Sequence, residues 1–393
     1  MSSEKSKKIK IAFHLKAHSG WTAGAVYLKT LLLALKSTNS SDLRISIIGR
    51  NGDISSHPDL RDLAEEIIPY PTIDKWTRAW VVHSLGTRLL QRDFVNDHLL
   101  RKHEVNLIAF GEAPEGSEIP SLGWIPDFQH LHFPEFFSLE ERHHRDATFA
   151  RLIERSARVI LISESAKRDF ERFAPQAAYK ARVLKPITAI PSTVYAANAE
   201  SICEQYNLGR KFFYLPNQFW KHKNHVTVFQ AIRRLKERGR PVFLVCSGSS
   251  RDYRDSAFFS ELLLEISRLG IRDQVALLGV LPRDHVFQLM RQSICVLNPS
   301  RFEGYGMTVD EGRSLGKRML LSNIPAHREQ APPHAVFFDP LASNELAAMM
   351  EQIWCETTPG PHTQVEAETR RGLSDRMRRY GESFIEICRE VAR

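Results

Sequence analysis

The pattern that most constrains the fold is an alternation of short apolar runs with longer amphipathic runs along the whole chain. Candidate strands of β-rich composition begin at Lys8, Arg44, Val105, Gly123, Arg158 and Ala181, and then at Lys211, Val242, Gln274, Ile294, Arg318 and Ala335. Helix-like amphipathic runs separate them. Such an alternation is typical of parallel sheets with helices on both faces. The sequence therefore predicts an α/β fold.

The length of the chain and one irregular segment divide this pattern into two domains. A chain of 393 residues is long enough for two domains, each with its own core. Residues 186–200 contain two prolines, small side chains and no periodicity, which is typical of a linker. We therefore predict two Rossmann-like, doubly wound domains, 1–190 and 191–370, facing each other across a cleft, and a helical tail, 371–393, that returns to the first domain.

Composition and charge narrow the class of protein without choosing a ligand. Apolar residues make up 42% and charged residues 25% of the chain, the balance of a soluble globular protein. No run approaches the roughly 20 apolar residues of a membrane span, and the N-terminus lacks the pattern of a secretory signal, so we expect a cytoplasmic protein. The net charge of +8 fits a polyanionic ligand, an anionic membrane surface or nucleic acid.

The five cysteines are scattered and form no CxxC pair. Cys246 and Cys295 lie inside apolar, strand-like runs. We expect buried free thiols in a reducing compartment and no zinc site.

The most informative segment begins at Asn298 and has the pattern of a strand, a loop, a helix and a second strand. Its loop, RFEGYG, carries Gly304 and Gly306 just before a helix that begins near Met307. Glycines at such a turn let backbone N–H groups approach a phosphate, and the N-terminus of the helix favours negative charge. The segment therefore predicts an anion site at this strand end.

Two carboxylates accompany these glycines. Glu303 lies in the loop, and Glu311 lies just over one turn into the helix. Carboxylates repel phosphate but accept hydrogen bonds from the hydroxyls of a ribose or a sugar. For Glu311 alone, a first-turn carboxylate that complements the helix dipole is an equal interpretation. The pair beside two glycines favours a ligand.

Two further features lie at strand ends of the second domain. Lys221, His222, Lys223 and His225 crowd a turn before a helix, where cations oppose the dipole unless an anion is bound. A diphosphate site fits this turn, and a solvated basic turn is the alternative. The run VFLVCSG ends at Gly248, which could pass beside a nucleotide, although glycines are common at strand ends.

The segment SRFEGYGMTVDEG resembles the signature of family 4 of the retaining GT-B-fold glycosyltransferases, in which a Glu, seven residues and a second Glu stand in an EGxG context before a helix. The runs LVCSG, LLGVLP, VLNPS and SNIPAHRE also resemble that family in order and spacing, over about residues 200–340. The form NQFWKHKNH is similar to a subgroup that builds bacterial polysaccharides and includes mannosyltransferases. The resemblance implies the following roles: Glu303 contacts the donor sugar, Gly304, Tyr305 and Gly306 approach the diphosphate, Glu311 binds the ribose, and Lys223 binds the diphosphate.

The chain departs from that family at one donor-site position. The family usually has an Arg five residues before the lysine, and here the position is Gln218. The diphosphate must then be neutralised differently, and Lys221 and Arg301 are the candidates.

The first domain supplies further candidates. The resemblance implies a glycine-rich loop after the first strand, against the donor phosphates, where Gly20 and Gly24 stand. Tight packing of a helix on a strand is the alternative for both. The loop is not a GxGxxG fingerprint and no acidic residue closes the next strand, so we exclude a dinucleotide site there.

The stretch GWIPDFQHLHF departs from the family at the position of its catalytic histidine. Pro126 stands where many relatives carry a His, and Asp127 is kept. We expect Asp127 or His130 to polarise the acceptor or to steady the donor sugar. No carboxylate is placed to complete a metal site with His130 and His132, so we expect no metal.

Residues 73–104 combine tryptophans with basic residues. Trp76 and Trp80 stand among lysine and arginine side chains, which suits an anionic membrane surface. An amphipathic helix packed on the sheet is an equal interpretation.

These features and the resemblance together predict a hexosyltransferase that uses a nucleotide-diphosphate sugar, and the resemblance implies that the transfer is retaining. By resemblance we also favour a mannose-type sugar on GDP, and a saccharide or lipid-linked acceptor, in cell-surface polysaccharide synthesis. We expect no cofactor besides this co-substrate, and peripheral contact with the inner face of an anionic membrane. One alternative is a non-catalytic sugar-nucleotide-binding protein on the same fold. The other is a nucleic-acid-binding protein, which the dispersed basic residues and the absence of a known motif disfavour.

Overall fold

The computed structural model describes residues 8–15, 22–40, 42–55, 57–70 and 77–392. The chain divides into two compact units. The first unit comprises Met1–Phe128, Leu139–Ile187 and Ser374–Arg393, and the second comprises Gln129–Ser138 and Thr188–Leu373. The division therefore differs from the bounds drawn from the sequence at Gln129–Ser138, which groups with the second unit.

Each unit is built on one parallel sheet. The first sheet contains β1 (Ile9–His14), β2 (Leu43–Gly49), β3 (Glu66–Pro69), β4 (Leu107–Ala109), β5 (Ser121–Ile125), β6 (Arg158–Leu161) and β7 (Ala181–Val183). Their spatial order is β3-β2-β1-β4-β5-β6-β7. The second sheet contains β8 (Phe213–Leu215), β9 (Leu244–Cys246), β10 (Val275–Leu277), β11 (Cys295–Asn298), β12 (Met319–Ser322) and β13 (Ala335–Phe338), in the order β10-β9-β8-β11-β12-β13. The two sheets confirm the predicted α/β class with two Rossmann-like domains.

Helices connect the strands in both units. In chain order they are α1 (Thr22–Ser37), α2 (Asn51–Ser55), α3 (Pro58–Arg61), α4 (Arg78–Leu89), α5 (Phe94–Lys102), α6 (Gln129–His132), α7 (Leu139–Arg155), α8 (Glu164–Phe173), α9 (Ser192–Ala196), α10 (Ser201–Gln205), α11 (His225–Glu237), α12 (Phe258–Arg268), α13 (Arg283–Gln292), α14 (Met307–Ser314), α15 (Pro325–Gln330), α16 (Ser343–Glu356), α17 (Thr363–Arg371) and α18 (Leu373–Val391).

Burial explains why most strands could be found from the sequence and one could not. Every residue of β4, β8, β9, β11 and β12 is buried, as expected for parallel strands covered by helices on both faces. Such strands appear in the sequence as continuous apolar runs. By contrast, β3 lies at the edge of the first sheet, ends in a proline and has only Ile68 fully buried. Its short, mixed sequence shows no strand pattern, so β3 was not predicted from the sequence.

The last helix, α18, packs within the first unit. It buries Tyr380, Phe384 and Cys388 on one face, and the ring of Phe384 stacks on Phe13 with centroids 5.6 Å apart. At its end the Glu390 carboxylate accepts hydrogen bonds from Arg158 and Arg182, among other contacts. The apolar face at helical spacing anchors the C-terminal segment to this unit.

The segment that the sequence suggested as a linker is packed against the second unit. Ile190 and Val194 are buried in the core of that unit, and α9 forms where no periodicity was visible. The backbone N–H of Thr188 donates to the carboxylate of Asp310, and the Tyr195 hydroxyl donates to the carbonyl of Ser314 at 3.2 Å. These anchors are too far apart in sequence to show a pattern.

The cysteines are free thiols, as the sequence predicts, but not all of them are buried. Cys355 is exposed, and the other four are buried.

Helix α4 exposes apolar side chains. Those of Val82, Leu85 and Leu89 are 48%, 53% and 73% exposed. Within the described part of the chain, no helix combines the length and the apolar character that crossing a membrane requires.

Candidate functional site

The order of the strands in the second sheet marks a place for a ligand. The connections run outward in opposite directions from β8 and β11, which are neighbours. Ligands of open parallel sheets bind at the carboxyl ends of the strands where the order reverses in this way. The loop after β8 leads to Lys223, and the loop after β11 carries Glu303 and Gly306. The structure thus brings together three residues that the sequence singled out.

An ion pair lies at this strand end. Lys223 Nζ is 2.7 Å from Glu303 Oε1, with side chains only 15% and 10% exposed. The hydroxyl of Ser300 lies 2.6 Å from the same carboxylate oxygen. Burial disfavours the charged carboxylate, but the charge of Lys223 and these hydrogen bonds outweigh it and hold the pKa of Glu303 below its usual value. Glu303 is therefore ionised at neutral pH, and it is an acceptor only.

A network of polar side chains fixes the two loops that carry this pair. Asn217 follows β8, and its Nδ2 donates to Asn298 Oδ1, at the end of β11, at 3.0 Å. Thr308 Oγ1 donates to Asn217 Oδ1 at 3.2 Å. Both asparagines are buried. Neither asparagine stands in a recognisable sequence pattern, and only their neighbours in the folded chain show that they connect the two loops.

The basic turn before α11 carries less charge than its sequence suggests. Lys221 forms an ion pair with Asp255, so its charge is already balanced. His222 and His225 are buried. Burial is the main cause, and the charge of Lys223 the second, of a shift that lowers the pKa of His225 to about 3. The same two causes lower the pKa of His222 well below its ordinary value. Counting the two histidines as cations was wrong, because both are neutral at pH 7.

Glu311 has a partner that sequence reasoning missed. It is buried in α14, and one of its carboxylate oxygens pairs with the guanidinium of Arg283, at the start of α13. The side chain of Arg283 is 48% exposed and also lies over the ring of Phe287. Arg283 follows the run LLGVLP, but nothing in that run indicates a contact with α14.

The glycine loop ends in a conformation that favours glycine. Gly306 has φ +90° and immediately precedes α14. Gln330 Nε2 donates to the carbonyls of Tyr305 and Gly306 at 2.6 and 3.1 Å. The two bonds hold the loop in place at the N-terminus of the helix, where free N–H groups and the dipole favour an anion.

Gly248, at the end of β9, is required by a close approach of two backbones. Its φ is +148°, and a Cβ atom there would lie 2.4 Å from the carbonyl oxygen of Asn217. Its N–H donates to the carbonyl of Gly279 at 2.8 Å. Gly279 also has a positive φ, +68°, but among the described residues, its two chain neighbours apart, no atom lies within 4 Å of its Cβ position.

These two glycines give a matched pair of substitutions. We expect Gly279→Ala to lower the free energy of unfolding by about 1 kcal/mol, from backbone strain alone. We expect Gly248→Ala to cost about 3 kcal/mol, because strain and the clash with Asn217 act together. Urea denaturation of both variants measures the difference. Equal costs would show that the approach of the two backbones does not constrain Gly248.

Of the other predicted residues, the structure describes Gln218, Arg301 and Gly24. Gln218 is exposed, and the guanidinium of Arg301 lies 4.7 Å from the ring centroid of Phe133. Gly24 is buried in the first turn of α1, and Gly20 lies outside the described residues. Trp76 is also outside them.

Asp127 and His130 belong to different units. In the first unit, Asp127 follows β5 and its Oδ1 is 3.1 Å from Arg145 Nη2. In the second unit, His130 is buried in α6, and its ring meets that of Phe137 edge-on at 6.3 Å. The roles drawn from the sequence for both residues stay predictions.

An arginine that the sequence did not single out holds the segment of His130 to the second unit. The side chain of Arg254 is 6% exposed and donates to both carboxylate oxygens of Asp252, at 2.9 and 3.0 Å. It also donates to Gln129 Oε1 at 3.0 Å. Its guanidinium lies 5.0 Å from the ring centroid of Trp220 and 5.4 Å from that of Phe137. A bidentate, stacked arginine is well suited to this fixed geometry.

Among the residues that the structure describes, no group of three or more His, Cys, Asp or Glu side chains could hold a metal ion. The expectation of a metal-free reaction stays a prediction.

The buried histidines predict how stability depends on pH. Burial lowers the pKa of His225 to about 3 and that of His327 to about 4, against 6.5 in the unfolded chain. Between pH 6.5 and pH 4 the unfolded chain therefore binds protons that the folded chain excludes, so stability falls as the pH falls. At pH 5 each histidine is expected to cost about 2 kcal/mol. Thermal unfolding at pH 7, 6 and 5 measures this loss. His225→Phe should make it shallower, and an unchanged profile would contradict the explanation.

Comparison with known protein families finds similarity within the second unit. Residues 200–363 match the family model "Glycosyl transferases group 1". That range contains the loops after β8 and β11, with the carboxylates of Glu303 and Glu311. Comparison with curated protein sequences finds no match.

Similar solved structures extend over nearly the whole chain. HepE from Anabaena, solved in complex with UDP and glucose, is 16% identical, with a TM-score of 0.66 over 97% of this chain and 100% of that one. Sucrose-phosphate synthase from Thermosynechococcus elongatus is 13% identical, with a TM-score of 0.65 over 98% and 99%. A glycosyltransferase from Rickettsia africae is 14% identical, with a TM-score of 0.62 over 95% and 93%. At these identities the likeness shows the fold, which is GT-B, with two Rossmann-like domains.

Proposed function

We propose that this protein is a retaining glycosyltransferase that moves a hexose from a nucleotide-diphosphate sugar to a hydroxyl of a saccharide or lipid-linked acceptor. One observation carries the proposal: the Lys223–Glu303 ion pair lies beside the glycine loop where the strand order reverses. The match of residues 200–363 to the glycosyl transferases and the GT-B fold support it. We favour a mannose-type sugar on GDP, in polysaccharide synthesis, from the resemblance of NQFWKHKNH.

The charges at this strand end suit the departure of a nucleoside diphosphate. When the bond between the sugar and the diphosphate breaks, negative charge grows on the leaving phosphate oxygen. Lys223 and the N–H groups at the start of α14 are held in place before the reaction, so they stabilise that charge without reorganising. Attack from the face that the diphosphate leaves gives retention and requires no protein nucleophile.

Binding of the donor would separate Lys223 from Glu303. Lys223 would pair with the diphosphate, and the ionised Glu303 would accept hydrogen bonds from sugar hydroxyls. Glu311 would hold the ribose with the carboxylate oxygen that Arg283 does not occupy. Because Gln218 supplies no cation, we assign the second positive charge on the diphosphate to Arg301 rather than to Lys221, which Asp255 neutralises.

The acceptor side of the reaction is assigned to Asp127 or His130. Either could polarise the attacking hydroxyl or steady the sugar as positive charge develops on it. Asp127→Asn and His130→Gln, assayed separately for transfer, test the two candidates. Full transfer rates in both variants would remove both from the mechanism.

The experiment that tests the proposed function is thermal stabilisation by GDP, UDP, ADP and their sugars. A bound ligand raises the melting temperature in proportion to its affinity and concentration. We expect a selective shift with one nucleotide and its sugar, lost in Glu311→Ala. Arg283 is half exposed, so losing this partner leaves no buried charge. Glu356→Ala, at the exposed end of α16, is the control and should keep the shift.

Each outcome of this experiment has a definite meaning. Selection of UDP would replace GDP as the donor base and keep the enzyme class. Tight binding of a sugar nucleotide without transfer to any saccharide would favour a sugar-nucleotide-binding protein on the same fold. Absence of a shift with every nucleotide would overturn the proposal.

We extend the proposal to peripheral contact with an anionic membrane through α4. Its exposed apolar side chains include Leu85 and Leu89, and such a face suits the interface of a bilayer. Sedimentation with phosphatidylglycerol vesicles tests this contact. Leu85→Gln should reduce binding, and equal sedimentation with neutral vesicles would count against it.

A further inference from the structure

A buried histidine lies directly behind the glycine loop and has no role in the function proposed above. His327, in α15, is fully buried. A Cβ atom placed on Gly306 would lie 3.5 Å from its Nε2 atom, so this edge of the ring faces the start of α14. Nε2 is buried and has no hydrogen-bond partner among the described residues. A buried polar atom without a partner is costly, and it indicates a place for a ligand.

The other nitrogen of the ring decides what Nε2 can do. Nδ1 of His327 lies 3.0 Å from the carbonyl oxygen of Ser322. The hydroxyl of Ser322 also lies 3.2 Å from Nδ1, but it donates its proton to the carbonyl of Ser300. A carbonyl only accepts, so Nδ1 carries the proton of its contact with Ser322. Burial lowers the pKa of His327 to about 4, which keeps the ring neutral at pH 7. A neutral ring protonated on Nδ1 has a lone pair on Nε2, which is therefore an acceptor.

A neighbouring side chain repeats this pattern. The two hydrogen bonds from Gln330 Nε2 to the carbonyls of Tyr305 and Gly306 fix the orientation of its amide. Its Oε1 atom is then an acceptor, and it too is buried and finds no partner in the described part of the chain. Together with the ionised Glu303, whose charge acts on His327, this side of the loop carries acceptors.

Acceptors select a ligand group that donates. A diphosphate offers only acceptor oxygens at neutral pH, whereas every hydroxyl of a sugar can donate. We propose that His327 Nε2 accepts a hydrogen bond from a hydroxyl of the donor sugar and thereby helps to determine which sugar is used. This inference rests on the proposed function and specifies the sugar side of the same site. A sugar whose hydroxyl points elsewhere would leave Nε2 buried without a partner, which is a strong basis for rejection.

The test compares two substitutions that each keep one half of the imidazole. His327→Asn keeps an N–H for the Ser322 carbonyl and removes the acceptor at the position of Nε2. His327→Gln places an amide oxygen near that position. Calorimetry measures the affinity of each protein for the preferred nucleotide diphosphate and for its sugar. We expect His327→Asn to weaken binding of the sugar nucleotide about tenfold, to leave the nucleotide diphosphate unchanged, and to be partly rescued in His327→Gln.

Fluorinated donors add a readout that a merely structural role would not move. Fluorine in place of a hydroxyl cannot donate a hydrogen bond. For one position of the sugar, the wild-type protein should lose about tenfold in affinity for the fluorinated donor, whereas His327→Asn should lose nothing further. Circular dichroism of each variant confirms that it is folded.

Three results would overturn the inference. Equal weakening of the nucleotide diphosphate and its sugar in His327→Asn would mean that the ring only supports the loop. Equal losses for every fluorinated donor in wild type and variant would exclude a donated bond to Nε2. A wild-type protein that binds nucleotides but gains nothing from the sugar would also overturn it and leave the nucleotide site standing. Failure to bind any nucleotide would instead remove the proposed function, and this assignment with it.

Discussion

Replacing Lys223 by methionine is expected to lower the rate of glycosyl transfer by about a hundredfold to a thousandfold. The side chain of Lys223 is only 15% exposed, and its ammonium group is the cation that pairs with Glu303 at this strand end. In the proposed mechanism, the substitution removes this cation from the departing diphosphate. Methionine keeps much of the apolar stem and removes only the charge. Steady-state kinetics with the preferred donor measures the effect, which should appear in kcat as well as in kcat/KM because the charge develops in the transition state.

The same substitution also disturbs stability, and a second variant separates the two effects. Without Lys223 the carboxylate of Glu303 loses the positive charge that offsets its desolvation. The pKa of Glu303 should therefore rise, and the melting temperature of the protein should fall. The double variant Lys223→Met/Glu303→Gln removes both charges and should recover most of the stability while transfer stays slow. Recovery of activity together with stability would show that Lys223 acts only through the fold.

The second large effect is expected at a buried ion pair to which the proposed mechanism gives no role. Arg291 donates from Nε and Nη2 to the two carboxylate oxygens of Glu366 at 2.8 and 3.1 Å, with side chains 4% and 6% exposed. Arg291 also donates to the carbonyls of Val194 and Ala197, at 2.7 and 2.9 Å. The pair thus joins α13, α17 and the C-terminal end of α9. Glu366→Gln should lower the free energy of unfolding by about 3–5 kcal/mol, because it leaves the guanidinium buried without its counter-charge.

An exposed pair in the same unit provides the control. Arg233 and Glu237 lie four residues apart in α11, with side chains 42% and 55% exposed. Glu237→Gln removes the same charge from a pair of the same type and should cost less than about 1 kcal/mol. Urea denaturation followed by tryptophan fluorescence compares the two variants. Similar costs would mean that burial does not set the strength of the Arg291–Glu366 pair.

The outcome at individual residues shows how far the sequence leads. The EGYG loop and the lysine turn were recognisable because each is a local pattern at the end of an apolar run, and the fold then places them on neighbouring strands. Nothing in the sequence indicates that Lys223 and Glu303 pair, because 80 residues separate them. The contacts of Arg283 with Glu311 and of Arg254 with Gln129 were equally hidden, because 28 and 125 residues separate the partners.

The α/β class, twelve of the strands and the glycine loop could be predicted from the sequence, since each depends on the spacing of neighbouring residues. Only the folded structure shows which side chains are charged at neutral pH and which buried atoms find no partner among the described residues. His222 and His225 look cationic in the sequence and are neutral in the fold, and His327 gains a candidate role only from its burial behind Gly306. The physical reason is that protonation and hydrogen bonding depend on the water and the distant groups around an atom. Those surroundings exist only once segments far apart in the chain have packed together.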